Sequence, residues 1–212
     1  MLSERKKEII MATLNLAYRK GLQNVSMSMI AQEINIKKPS LYNHFSSKEE
    51  LIEEMYNFLR LEAKNNLNSD TLDYKKIFSN KEPQDILLLV VNNYINLNKE
   101  DNIKKFYKII YSERCYNKMA TRIINEETLR MIETTKFVFK NMEKEGLCRF
   151  NDLDMCATSF AFAIHGLIDF LFDQENLDDG DIKKAQELIA NYINWFCASN
   201  MKRSEKNEKE IN

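Results

Sequence analysis

Residues 26–48 read SMSMIAQEINIKKPSLYNHFSSK, and the order of caps, apolar positions and turn residues in this stretch decides what the chain folds into. Ser26 is placed to cap a short helix, because its hydroxyl can accept an N–H that the first helical turn leaves without a partner. Met29, Ile30, Ala31 and Ile34 then recur at the spacing that puts them on one helical face. Asn35 follows, a residue that tolerates the left-handed backbone of a sharp interhelical turn. A second short helix runs from about residue 38 to 44, with Pro39 in its first turn, where the missing N–H costs nothing. Leu41 and Phe45, four apart, face inward. Ser47-Lys48-Glu49-Glu50 reads as a capping box, in which the Ser hydroxyl and the Glu carboxylate satisfy opposite orphan N–H groups, and a long helix follows to about residue 66.

Outward from this stretch the pattern stays helical. Ser3 can cap a helix over about 4–20, with Ile9, Ile10, Ala12, Thr13, Leu16 and Ala17 as its inward stripe and Gly21 as its end. Further helices are expected near 84–99, 103–113, 118–145, 152–174 and 181–202, with Gly146 and Gly180 marking two of the breaks. The stretch from Asn65 to Pro83 is polar and irregular and reads as a link. The expected organisation is a head over 1–48, a connecting helix over 49–66, a helical body over 67–202 and a charged, frayed tail over 203–212. Four Gly and two Pro in 212 residues are far below the usual ~7% and ~5%. The chain is thus short of the turns and bulges that sheets need, and the fold class is all-α, with about nine helices.

Formal charge is −1 overall, but it is unevenly spread. Residues 1–48 hold eight bases (Arg5, Lys6, Lys7, Arg19, Lys20, Lys37, Lys38 and Lys48) against three acids (Glu4, Glu8 and Glu33), so the remainder is acidic. A basic head on an acidic body suits a protein that presents one end to phosphate. The start MLSERKKEII lacks the apolar run of a secretion signal, and no stretch reads as the ~20 apolar residues of a membrane span. A cytoplasmic protein without a membrane partner is expected. Cys115, Cys148, Cys156 and Cys197 form no C-x-x-C pair and lie among apolar residues, which reads as reduced core thiols. His44 and His165 are far from them in sequence, so neither a metal site nor a cofactor is expected. A Gly-rich phosphate loop and an H-E-x-x-H motif are both missing from the sequence, which argues against an enzyme.

Two short helices around a tight turn have a specific use in DNA recognition. The first needs a small residue where the helices cross, the turn needs a residue that accepts positive φ, and apolar residues must lock both helices onto the first helix of the head. Ala31, Asn35 and the set Ile30, Ile34, Ile36, Leu41 and Phe45 meet these demands. Lys38, Ser40, Tyr42, Asn43 and His44 are left outward, a mixture that can hydrogen-bond phosphates and base edges.

At these residues the chain resembles the TetR family of bacterial regulators. The resemblance rests on Ser26, Ile30-Ala31, Asn35-Ile36-Lys37, Leu41-Tyr42-Asn43-His44-Phe45 and Lys48-Glu49-Glu50-Leu51, and covers residues 5 to about 55. Asn35 stands where the family usually has Gly. Lys37 stands where a capping Ser or Thr is common, which forgoes a cap of ~1 kcal/mol but adds a cation. The resemblance implies that Tyr42, His44 and Lys48 grip the DNA backbone, assisted by Ser26 and Lys37, while Lys38, Ser40 and Asn43 face base edges. Tyr42 alternatively serves as a packing aromatic.

It further implies a homodimer on a palindromic operator in double-stranded DNA, repressing until a small molecule enters the body. The effector is expected to be apolar or aromatic. Tyr94, Phe106, Tyr107, Tyr111, Phe137, Phe160 and His165 are candidates to line its pocket, or else ordinary core. Residues 152–174 leave almost no polar face, so a partner chain is expected to cover one side of that helix, with Ile164, Ile168, Leu171, Ile189, Tyr192 and Phe196 at the interface; the alternative is a central helix buried within a monomer. A DNA-bound scaffold answering to a protein partner is the rival to effector control.

Overall fold

The computed structural model describes residues 2–66 and 78–203. Among them are nine α-helices: α1 (Glu4–Lys20), α2 (Met27–Glu33), α3 (Lys38–Tyr42), α4 (Lys48–Asn66), α5 (Pro83–Asn98), α6 (Asp101–Glu113), α7 (Lys118–Lys144), α8 (Leu153–Glu175) and α9 (Ile182–Asn200). A 3-10 turn, Leu22–Asn24, follows α1. The expected link lies mostly outside the described residues, as does the tail beyond residue 203.

The chain forms two compact units, residues 1–71 with 97–126, and residues 72–96 with 127–212. In the first, Ile9, Ile10, Leu14 and Ala17 of α1 pack with Ile30, Ala31, Leu41, Phe45 and the apolar side of α4. Ile103, Phe106, Ile109 and Ile110 of α6 join the same core, so α6 belongs with the head by its contacts, although the sequence boundary at 67 assigns it to the body. The alternation that makes α6 amphipathic says that one face is buried, but not against which neighbour.

The local devices are largely those expected. Ser3 Oγ accepts from Lys6 N, and Ser26 Oγ from Met29 N, each at 3.3 Å. Asn35 takes φ 54° and turns the chain between α2 and α3. The capping box is only half as read. Ser47 Oγ accepts from Glu50 N at 3.1 Å, but the Glu50 carboxylate accepts from the N–H and hydroxyl of Ser46, both at 2.6 Å, one residue upstream of the expected donor.

The second unit gathers α5, the C-terminal part of α7, α8 and α9 around Ile86, Leu87, Phe139, Phe160, Ile168 and Phe196. Gly180 closes the turn between α8 and α9 with a close approach: a Cβ there would lie 1.8 Å from the Gln174 carbonyl oxygen. The last helix stops at Asn200, not 202, because Met201–Arg203 pairs antiparallel with Cys148–Phe150 as strands β2 and β1. Three-residue strands carry no readable alternation. Phe150 anchors the ribbon by stacking on Phe139, and its N–H donates to Glu143 Oε1 at 2.8 Å.

The structure bears on three further expectations. Cys115 is exposed in the turn between α6 and α7 rather than a core thiol, while Cys148 and Cys156 are buried and Cys197 half-buried. By length and mean hydropathy (1.6), α8 does qualify as long and apolar enough to cross a membrane. It nevertheless packs one face into the second unit's core, as the central helix of a globular unit does. Finally, Ile164, Ile168, Leu171, Ile189 and Phe196 are buried within a single chain's core, and Tyr192 packs beside them. The exposed apolar side chains of α8 and α9 are instead Met155, Phe162, Phe170, Ile182, Leu188 and Trp195. A helix apolar all round hides which of its faces is internal.

Candidate nucleic-acid interface

The helix-turn-helix is held from behind. Ile30 and Leu41 are fully buried, Ala31 and Phe45 nearly so, and Ile36 N donates to Ala31 O at 2.9 Å across the Asn35 turn. Lys6 Nζ sits 4.7 Å from the centre of the Phe45 ring, tying α1 to the end of α3. The short helix α3 is therefore anchored to the core through Leu41 and Phe45, which sets the direction of its outward residues.

Ser26, Lys37, Lys38, Ser40, Tyr42 and Asn43 are exposed, and His44 is half-buried. Ser26 caps α2, and the other six lie on α3 or directly flank it. Lys37 precedes α3 without a side-chain cap, as the sequence implies, and its amine is available to an anion. Lys38 Nζ lies 5.8 Å from the Tyr42 ring centre, which couples the packing and contact readings of Tyr42: the ring is exposed and supports a cation at its face.

Lys48 is placed differently. Its side chain is half-buried, and Nζ donates to the Leu22 carbonyl oxygen at 2.5 Å. Burial pushes its amine below the ordinary lysine range, against the pull of Glu49 and Glu113. In this structure Lys48 does not join the outward row. Nothing in the residue order distinguishes a lysine reaching outward from one folded back onto a carbonyl 26 positions earlier.

The residues expected to line an effector pocket divide between the two units. Phe106, Tyr107 and Tyr111 belong to the first unit, where Phe106 packs 5.6 Å from Tyr56. Tyr94, Phe137, Phe160 and His165 belong to the second, with Phe160 buried against Tyr192 and Phe196 and Phe137 half exposed. A described cleft of about 170 Å³ lies elsewhere, in the first unit, beside Lys48 and Glu113.

Residues 9–55 match the family model described as bacterial regulatory proteins, tetR family. The chain is 23% identical over 193 residues to the HTH-type transcriptional regulator BetI of Vibrio vulnificus, and 24% identical to that of Vibrio campbellii. Each alignment covers 89% of this chain and 90% of the relative. Among solved structures, a TetR transcription regulator from Haloarcula marismortui superposes with a TM-score of 0.70 at 14% identity, covering 95% of this chain and all of that one. The SmeT–triclosan complex gives 0.70 at 15% identity over 94% and 93%. A Saccharomonospora viridis protein in complex with choline gives 0.65 at 19% over 95% and 100%. Residues 9–55, which hold the helix-turn-helix, thus match the tetR family of bacterial regulatory proteins, and relatives named as HTH-type transcriptional regulators align along most of the chain.

Proposed function

We propose that this regulator acts as a cytoplasmic homodimer that binds a palindromic operator and represses until a small apolar or aromatic molecule enters its C-terminal unit. The observation that carries the DNA reading is the rigid α3, locked by Leu41 and Phe45, with Lys37, Lys38, Ser40, Tyr42 and Asn43 exposed together. Ser26, Lys37, Tyr42 and His44 act on phosphates, and Lys38, Ser40 and Asn43 on base edges. Lys48 joins the phosphate contacts once its amine leaves the Leu22 carbonyl. A two-fold dimer sets its recognition helices about one DNA turn, ~34–36 Å, or a multiple of it apart.

The dimer reading is supported by the exposed apolar face of α8 and α9. Phe162 is 53% and Trp195 60% exposed, with Phe170 and Leu188 beside them in the helical repeat. Gly166 lies on the same side of α8, and a Cβ there would meet nothing within 4 Å. Glycine in a helix interior costs ~1 kcal/mol relative to alanine. Its place here fits the close approach of a second copy's helix, since no neighbour among the described residues crowds it.

For the effector, support comes from the aromatic cluster Phe160, Tyr192 and Phe196 and from neighbours of the same fold that hold triclosan and choline. An effector that favours the wrong spacing of the heads weakens DNA binding by its differential affinity. The test is selection of bound fragments from fragmented genomic DNA, followed by footprinting. An inverted repeat should emerge, and recovery of no sequence over random duplex at moderate salt defeats the reading. Titration of Trp195 fluorescence with a panel of apolar and aromatic compounds then tests the effector.

A further inference from the structure

The cleft of about 170 Å³ in the first unit brings together Leu22, Gln23, Lys48, Ile52, Glu113 and Met119. Glu113 is the last residue of α6 and only 6% exposed. Both circumstances disfavour a carboxylate there: burial raises the cost of its charge, and the negative end of the helix dipole lies beside it. Gln23 Nε2 donates to Glu113 Oε2 at 3.1 Å, a neutral donor that offsets part of that cost. The Lys48 amine, drawn to the same cleft and anchored on the Leu22 carbonyl at 2.5 Å, supplies the opposite charge.

We propose that Glu113 is a positioning residue that holds the Lys48 amine inside this cleft and away from DNA, with Gln23 competing for the same carboxylate, so that the placement of the end of α6 sets how readily Lys48 reaches a phosphate. The inference rests on the reading of Lys48 as a phosphate contact. One amine cannot sit on the Leu22 carbonyl beside Glu113 and on DNA at once, so the two partners compete. Anything that draws the end of α6 from the cleft weakens the inward pull and strengthens DNA binding; by linkage, DNA then favours that placement of α6.

Two measurements on the full chain test this. The first is the rate at which sulfo-N-hydroxysuccinimidyl acetate modifies Lys48 without DNA, read by peptide mass spectrometry. Glu113→Gln, which keeps the shape and a hydrogen bond to Gln23, should raise that rate about threefold to tenfold, the scale of losing one charge-assisted interaction. Gln23→Ala leaves Glu113 more dependent on Lys48 and should lower it; Gln23 is exposed, so this variant keeps the fold. The second is anisotropy of a fluorescein-labelled duplex recovered from the genomic selection. Glu113→Gln should tighten binding about threefold to tenfold, Gln23→Ala should weaken it, and in a Lys48→Met background neither change should have any effect. Equal labelling in all three proteins overturns the proposal, and so does an affinity change that persists in Lys48→Met. If wild type shows no preference for any duplex, the DNA reading itself falls, and the labelling rates, which involve no DNA, show whether the inward hold survives it.

Discussion

The rings of Phe139 and Phe150 lie face to face, with centroids 4.2 Å apart and planes 6° from parallel. Phe139 belongs to α7 and Phe150 to β1, so this stack fixes the ribbon that β1 forms with β2 against the helices of the second unit. Phe160 and Phe196 also meet Phe139, at 5.6 and 5.9 Å, which makes that ring the centre of an aromatic cluster. Phe150→Ala should therefore leave a cavity bounded by aromatic faces and cost about 3 kcal/mol. Urea unfolding followed by circular dichroism checks it, and a loss below about 1 kcal/mol would show that the ribbon collapses to refill the space.

Buried thiols beside this cluster give a prediction in pH. Burial pushes the Cys148 thiol up to about 12, helped by Glu143 and Cys197, and the Cys197 thiol up to about 11. Both stay protonated at pH 8, whereas Cys115 is exposed. Native protein at pH 8 should therefore consume one equivalent of a maleimide quickly at Cys115 and label the buried thiols only on unfolding. In the unfolded chain all four thiols ionise near their ordinary values. The stability due to the neutral buried thiols is thus fully present below about pH 9 and is lost as pH rises toward their folded values. A Tm that rises between pH 9 and 11 contradicts this account.

Local chemistry is what the sequence displays best. Ser3, Ser26 and Asn35 perform as read because a cap or a positive-φ turn is decided by the residue itself and its immediate neighbours. The match of Leu41 and Phe45 to the interior follows from spacing alone. Readings that depend on which neighbour covers a face fared worse. α6 is amphipathic either way, yet its apolar side packs into the core of the head. α8 is apolar all round, so Ile168 and Phe162 look alike in sequence although one is core and the other faces out. Lys48 likewise could not be separated from Lys38, since only the fold brings the Leu22 carbonyl within its reach.

The exposed face of α8 and α9 leads to a prediction about assembly. If Phe162, Gly166 and Trp195 meet a second copy, a charge placed there must be desolvated in the dimer without a partner, at a cost of several kcal/mol. Trp195→Glu should shift the protein to monomer in analytical ultracentrifugation at micromolar concentration, with little change in helicity because the side chain is 60% exposed in one chain. Gly166→Leu should do the same by blocking close approach, since a Cβ there meets nothing within 4 Å among the described residues. Ile168→Ala, by contrast, should lower the Tm of the second unit through a core cavity. A Trp195→Glu protein that remains dimeric removes this face as the interface.

Separation of phosphate from base contacts can be read from two lysines on the outward row. Lys37 precedes α3 and Lys38 is its first residue, so the two amines leave the backbone in different directions from adjacent positions. Lys37, uncapped at the helix start, is placed for a phosphate, whose contacts fix register without reading sequence. Lys37→Ala should weaken operator and random duplex by the same factor and reduce the slope of log affinity against log salt by about 1. Lys38, stacked near Tyr42, is placed for a base edge, where a good contact discriminates by about 1–3 kcal/mol. Lys38→Ala should therefore reduce the ratio of operator to random binding about tenfold, more than it changes random binding. Competition titrations at three salt concentrations measure both quantities together. If Lys38→Ala lowers both affinities equally, it too contacts only the backbone, and base reading then falls to Ser40 and Asn43.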